Sequence, residues 1–358
     1  MSAGSHVRAW SSSLTAAIVA IAPWALAQVP APDDIPKGIM APVVFPPFDP
    51  AAVSCAPPPG LNRALVFAQD NERQFMQGVG RGLASAASDR GLSFRVALAR
   101  NDGGLMIEQV EALAAQKIGA IVVAPVDAPS LAPSLQRLIH EGSYVGTVVP
   151  PPAVTLLNAP QYLTGKVLGS AAAAFIRKEL GGKANVVLLT HDSLQFLSPR
   201  FVAMRDALKD MPDVEIVADI SPVTVDENGG FATMQTILLA HPKIDVVLGA
   251  DTVVLGALAA LRAAGKARNN QFLGGIDGEP EAVAEIKRGG PYKASVSLAS
   301  PIFGYALGQF AADWLEGKSV PQAMDILPYA LTSSNMAQYE SDVVDPEKVF
   351  NDPQRRAV

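Results

Sequence analysis

From residue 61 onward the chain repeats one alternation. A short apolar run rich in β-branched residues is followed by a longer stretch with apolar side chains at helical spacing. The runs at 64–68 (ALVFA), 120–124 (AIVVA), 186–189 (VVLL) and 244–248 (IDVVL) lack the in–out alternation of a half-exposed strand. Strands of that kind are buried on both faces, which points to a parallel sheet with helices on each side. Right-handed βαβ units connect such strands. The rhythm predicts strands at 64–68, 94–98, 120–124 and 144–149, with helices at 75–88, 106–116 and 131–140 between them. Pro150-Pro151-Pro152 then breaks it, and the chain reads as irregular up to Tyr162. Beyond lie helices at 165–180, 200–209, 231–240, 252–264, 281–288 and 302–315. Strands are predicted at 186–189, 214–218, 244–248, 272–276, 294–298 and near 326–331. The expected fold class is α/β: two Rossmann-like lobes, each a parallel sheet flanked by helices. The polar, charged segment 334–358 is expected to pack loosely or not at all.

The stretch 234–280 carries the first chemical signal. Two successive strands end in a carboxylate: Asp251 just past 244–248, and Asp277 at the end of 272–276. In an open parallel sheet, ligands bind outside the carboxyl ends of the strands. Asp251 also suits the N-cap of the helix that follows, and Asp277-Gly278 also suits a tight turn. His191-Asp192 follows strand 186–189 and points to the same edge, though a lone His-Asp pair is a weak signal.

Hydrophobic residues make up 49% of the chain and charged ones 17%, which excludes a disordered polymer. The net charge of −6 and the lack of a basic stripe argue against a nucleic-acid partner. Arg8 precedes an apolar run at 14–26, and Ala25-Leu26-Ala27 supplies a small-x-small cleavage pattern. That is the anatomy of a secretory signal peptide over 1–27, with an apolar core short for a membrane span. Its removal takes one cation and no carboxylate, from −6 to −7. Residues 28–60 are rich in proline and read as a tether or surface strap. Cys55 is the lone cysteine, so an exported chain would hold no internal disulfide.

Catalytic signatures are missing: there is no G-x-S-x-G elbow, P-loop or H-E-x-x-H. Four histidines and one cysteine give no metal-ligand spacing, and no cofactor is expected. Gly78-x-Gly80-x-Gly82 falls inside a helix, so it is no dinucleotide fingerprint.

From about Leu61 to Leu331 the chain resembles the type I periplasmic binding proteins of the ribose and galactose kind. The resemblance rests on HPKIDVVLGADTVVLGALAALRAAGK and GGIDGEP, supported by FMQGVGRGLASAASDRG, KIGAIVVAPVD and RFVAMRDAL. It implies two lobes joined by a three-crossing hinge: 61–160 with about 299–322, and 161–298 with about 323–333. It also implies closure over a small ligand and docking of the closed, monomeric form on an inner-membrane ABC permease from the periplasm. The rival readings are a sensor subunit presenting its ligand to a membrane receptor kinase, and an exported enzyme.

By motif position, the resemblance implies ligand contacts at Arg73, Phe75, Ser198, Arg200, Asp251 and Asp277. Elsewhere the chain departs from the family pattern. Val149-Pro150-Pro151 stands where Asp-Arg is usual, Ala250 where asparagine is common, Val225 where an aromatic can stack, and Leu298 where an amide is typical. Hydroxyl-rich ligands need many polar partners, because each buried unsatisfied group costs about 1–3 kcal/mol. These departures suggest a less polar ligand, or one with an anionic end facing Arg73 or Arg200.

Overall fold

The computed structural model describes residues 48–49, 51, 56–148, 152–191, 196–354 and 356–357. The expected leader, Cys55, most of the proline-rich segment, Val149-Pro150-Pro151 and Asp192 lie outside the described residues. First come β1 (Ala64–Gln69), α1 (Gln74–Asp89), β2 (Ser93–Leu98), α2 (Gly103–Ala115), β3 (Ala120–Val123), α3 (Ala128–His140), β4 (Tyr144–Thr147) and β5 (Thr155–Asn158). Next are α4 (Gln161–Glu179), β6 (Ala184–Leu189), α5 (Ser198–Leu208), β7 (Val214–Ile220), α6 (Glu227–Ala240), β8 (Val246–Leu248) and α7 (Asp251–Ala263). They are followed by β9 (Phe272–Asp277), α8 (Pro280–Arg288), β10 (Tyr292–Ser297), α9 (Ser300–Leu315), β11 (Ala323–Ile326) and β12 (Tyr329–Leu331). The last elements are α10 (Met336–Val344), α11 (Pro346–Phe350) and β13 (Arg356–Ala357).

Two sheets result, ordered β13-β11-β5-β4-β3-β1-β2 and β12-β10-β9-β8-β6-β7. The pairings are parallel except β13 on β11 and β12 on β10, both at sheet edges. Burial on both faces follows the apolar runs. Leu65 and Phe67 face the core shared with α1 and α9, whereas Val66 and Ala68 face the core of α2 and α3. In the second sheet Val186 and Leu188 point one way, and Val187 and Leu189 the other, into the core of α6 and α7. The first of these cores runs through both lobes as one cluster.

The Gly78-to-Gly82 segment serves helix packing. A Cβ on Gly82 would sit 1.9 Å from Pro301 O, and one on Gly304 would sit 1.8 Å from Val79 O. Only glycine lets α1 and α9 approach backbone to backbone. Arg90 at the end of α1 then clamps α9 through Asp313 at 2.8 Å and Glu316 at 2.9 Å.

Three expectations are corrected. The irregular stretch before Tyr162 holds β5, whose four residues leave too short an apolar run to stand out beside the prolines. The last expected strand is two: Pro328 interrupts it, Ala323–Ile326 joins the first sheet and Tyr329–Leu331 the second. The third crossing thus falls after Ile326. The segment 334–358 packs: Tyr339 and Val349 are buried, and Phe350 meets Tyr305 and Phe310 edge-on at 5.9 and 5.7 Å. It leaves the second sheet at β12 and returns to the edge of the first as β13, a fourth passage between the lobes.

Candidate functional site

The loop after β1 is stiffened by its own polar side chains. Asn71 N donates to Asp70 Oδ1 at 2.7 Å, Asn71 Nδ2 to Asn101 Oδ1 at 2.9 Å, and Arg73 N to Asn71 Oδ1 at 3.1 Å. This fixes Arg73 as the residue before α1, where its guanidinium pairs with Asp70 at 2.9 Å. Phe75, inside the first turn, lies edge-on to Phe303 of α9 with ring centroids 5.6 Å apart.

Across the crevice, β9 ends at Asp277 with φ at 115°, followed by Gly278 at 70°. A non-glycine residue takes that conformation only where its surroundings dictate it, at about 1–3 kcal/mol. Three hydrogen bonds do so. Gly278 N donates to Ser295 Oγ at 3.0 Å, Glu279 N to Asp251 Oδ2 at 2.8 Å, and Tyr339 Oη to Gly278 O at 2.8 Å. Arg200 comes from the first turn of α5, which presses on α4 so closely that a Cβ on Gly165 would lie 1.9 Å from Arg200 O. Its Nε donates to Gln161 Oε1, and its guanidinium lies 3.9 Å from the Asp277 carboxylate.

Burial raises the pKa of Asp277, opposed by the charges of Arg200 and then Arg73. Arginines from both lobes therefore act on one carboxylate. Burial lowers the pKa of Arg200, with Asp277 opposing. Glu279 accepts from Thr252 Oγ1 and is pushed up to about 7 by burial, aided by the charge of Asp277. Burial likewise raises Asp70, against Arg73.

A hollow opens at this place. Gln74, Phe75 and Arg81 of α1 form one side, the turn from Asp277 to Pro280 the other, and Ala299 to Pro301 the hinge end. Tyr339 and Val343 of α10 complete the wall.

The structure thus gathers Phe75 and Asp277 at the hollow, with Arg73 and Arg200 acting on Asp277. Ser198 is the first residue of α5, half-buried, and does not line the hollow. Asp251 is not among the residues lining the hollow and is the first residue of α7. Its side chain is sealed from solvent, and Ala250 holds the cap position. Its carboxylate accepts from Tyr292 Oη and Ser295 Oγ, each at 2.7 Å, and from Glu279 N. It is a buried hub behind the crevice. His191 is half-buried beyond β6, outside the hollow. Leu298 is buried and Val225 is exposed. Sequence reasoning missed Asp70, Gln161, Glu279 and Tyr339. Glu279 lies in the GGIDGEP turn, Asp70 follows the expected first strand by two residues, and Tyr339 and Val343 share helical spacing; Gln161 carried no signal.

Among the described residues no group of three or more His, Cys, Asp or Glu is placed to hold a metal ion, and no helix is long and apolar enough to cross a membrane. The family model described as periplasmic binding protein domain matches residues 64–319. The chain belongs to the periplasmic binding protein family. Its role is solute binding. Among its relatives are the ribose import binding protein of Bacillus subtilis (strain 168), 27% identical over 258 residues, and a xylitol-binding protein of Mycolicibacterium smegmatis, 28% identical over 263. The first match covers 70% of this chain and 80% of the relative, the second 71% and 72%. Of solved structures, an ABC transporter solute binding protein from Bacillus halodurans C-125 with bound myo-inositol matches with a TM-score of 0.70 at 20% identity. That match covers 79% of this chain and 99% of the other, and it shows the two-lobed fold.

Proposed function

We propose that this protein captures a small, neutral, polyhydroxylated solute between its lobes in the periplasm and delivers it to an ABC importer. The observation that carries the ligand class is charge balance. Two arginines, Arg73 and Arg200, face two carboxylates, Asp70 and Asp277, at or beside the hollow. Arg73 is already paired with Asp70, and Arg200 with Asp277. An anionic ligand end facing Arg73 or Arg200 would have to break its pair, and at the buried Arg200–Asp277 pair a charge left unpartnered costs several kcal/mol. The anionic alternative raised by the sequence loses its ground here. A hydroxyl group, by contrast, donates to Asp277 and accepts from Arg200 while both keep their countercharge. Phe75 offers the apolar face of a ring to carbon-bound hydrogens.

The relatives support the class: their names cite import of ribose and of D-apiose, and binding of xylitol. The polar groups missing at Ala250 and Leu298 support a smaller set of gripped hydroxyls than a hexose offers. Importer delivery and a periplasmic location come by the same kinship.

A thermal-shift screen over pentoses, pentitols, cyclitols and sugar acids tests this reading. A ligand at 100 times its Kd adds about 2.7 kcal/mol of stability by mass action, which raises Tm by several degrees. Neutral polyols should give the shift. A response confined to sugar acids would reverse the ligand class.

A further inference from the structure

We propose that helix α10 belongs to the binding site, with Tyr339 as the positioning residue that sets the conformation of the Asp277-Gly278 turn. The proposal rests on the reading of Asp277 as a ligand group. Tyr339 is buried against the core of the second lobe, and its hydroxyl donates to Gly278 O at 2.8 Å. That carbonyl belongs to the turn in which Asp277 and Gly278 both take positive φ. The other two bonds to the turn come from Ser295 and Asp251 and hold amides; Tyr339 holds the carbonyl. Tyr339 and Asp251 hold the carbonyl and amide ends of the same Gly278–Glu279 peptide, so without the hydroxyl that unit is held at its amide alone and the turn that carries Asp277 loosens.

The helix is anchored from several sides. Tyr329 Oη donates to Asp342 at 3.0 Å, and Lys287 pairs with Glu340 at 2.6 Å on the second lobe. The following α11 packs on α9 of the first lobe through Phe350. One turn after Tyr339, Val343 reaches the same hollow. The segment beyond residue 333 therefore contributes one backbone clamp and one apolar wall. Neither lies among the positions the family pattern had suggested.

Tyr339→Phe in the full chain removes the hydroxyl and keeps the ring. Two readouts are taken: amide exchange of the unliganded protein by mass spectrometry, and calorimetric titration with D-ribose, xylitol and myo-inositol. Loss of one such hydrogen bond should speed exchange in peptides spanning 272–281 by about fivefold. Peptides covering β1 and β3 should not change, and the affinity of any polyol bound by the wild type should fall several-fold. Unchanged exchange at the turn overturns the proposal. Faster exchange everywhere also overturns it, because Tyr339 would then support the fold at large. A faster turn with unaltered polyol affinity overturns the link to binding. If the wild type binds none of the three polyols, the ligand class proposed above fails, and the exchange arm still decides the role of Tyr339.

Discussion

Asp251 separates three accounts of one residue, and its replacement by alanine tells them apart. The carboxylate accepts from the Tyr292 hydroxyl, the Ser295 hydroxyl and the Glu279 amide within 2.8 Å, at a side chain closed to solvent. Alanine orphans all three donors. The Ser295 hydroxyl can rotate, since its oxygen already accepts from Gly278 N. The Tyr292 hydroxyl and the Glu279 amide lose their Asp251 acceptor, and each orphaned buried donor costs about 1–3 kcal/mol. Relief of the carboxylate's own burial, the first cause of its raised pKa, offsets part of that loss. Asp251→Ala should therefore lower stability by about 3 kcal/mol in urea denaturation followed by circular dichroism, at unchanged m-value. Asp251→Asn keeps one acceptor oxygen and should lose about half as much. A helix cap would cost only about 1 kcal/mol. A loss at or below that value would refute the hub, and a loss of ligand affinity at unchanged stability would restore Asp251 to the site.

Gly82→Ala pushes a Cβ against Pro301 O and Tyr305 N, both backbone atoms that cannot yield as a side-chain tip would. It should cost about 3 kcal/mol and lower Tm by several degrees; a melting curve matching the wild type would contradict the α1–α9 packing. Glu279 supplies a pH signature. Its folded pKa of about 7 stands above its ordinary 4.5, so the native state holds the proton more tightly than the unfolded chain. Stability is then full below about pH 4.5, declines as pH rises through 7, and levels off above. Relative to Glu279→Gln, the wild type should lose up to roughly 3 kcal/mol between pH 5 and 8. Parallel pH profiles would contradict the burial of Glu279.

Much of the architecture was legible because runs such as AIVV and IDVVL admit few alternatives to doubly covered parallel strands. The lobes and their order followed from that alternation. What stayed hidden depends on distant partners. Asp251 reads identically as cap, ligand group or hub, since its donors lie 28 to 44 residues away. The 334–358 segment looks polar because its anchors, Tyr339, Val349 and Phe350, are scattered among charges and gain meaning only against α9 and the β9 turn. Among candidate contacts, Asp277 and Phe75 were named from motif position, and both line the hollow. The charge pairing of Arg73 with Asp70 was not legible, because nothing in the chain order says that the loop after β1 folds back on itself.

The central claim is that a neutral polyol is held at Asp277 between the lobes. Calorimetric titration of the wild type and of Asp277→Asn with D-ribose, xylitol and myo-inositol, each beside D-gluconate, tests it most directly. The account predicts binding of at least one neutral polyol, no binding of gluconate, and a loss of at least about 30-fold in Asp277→Asn, since truncating a buried hydrogen-bonded charge costs roughly 2–5 kcal/mol. Gluconate binding alone, or a polyol affinity indifferent to Asp277→Asn, would contradict it.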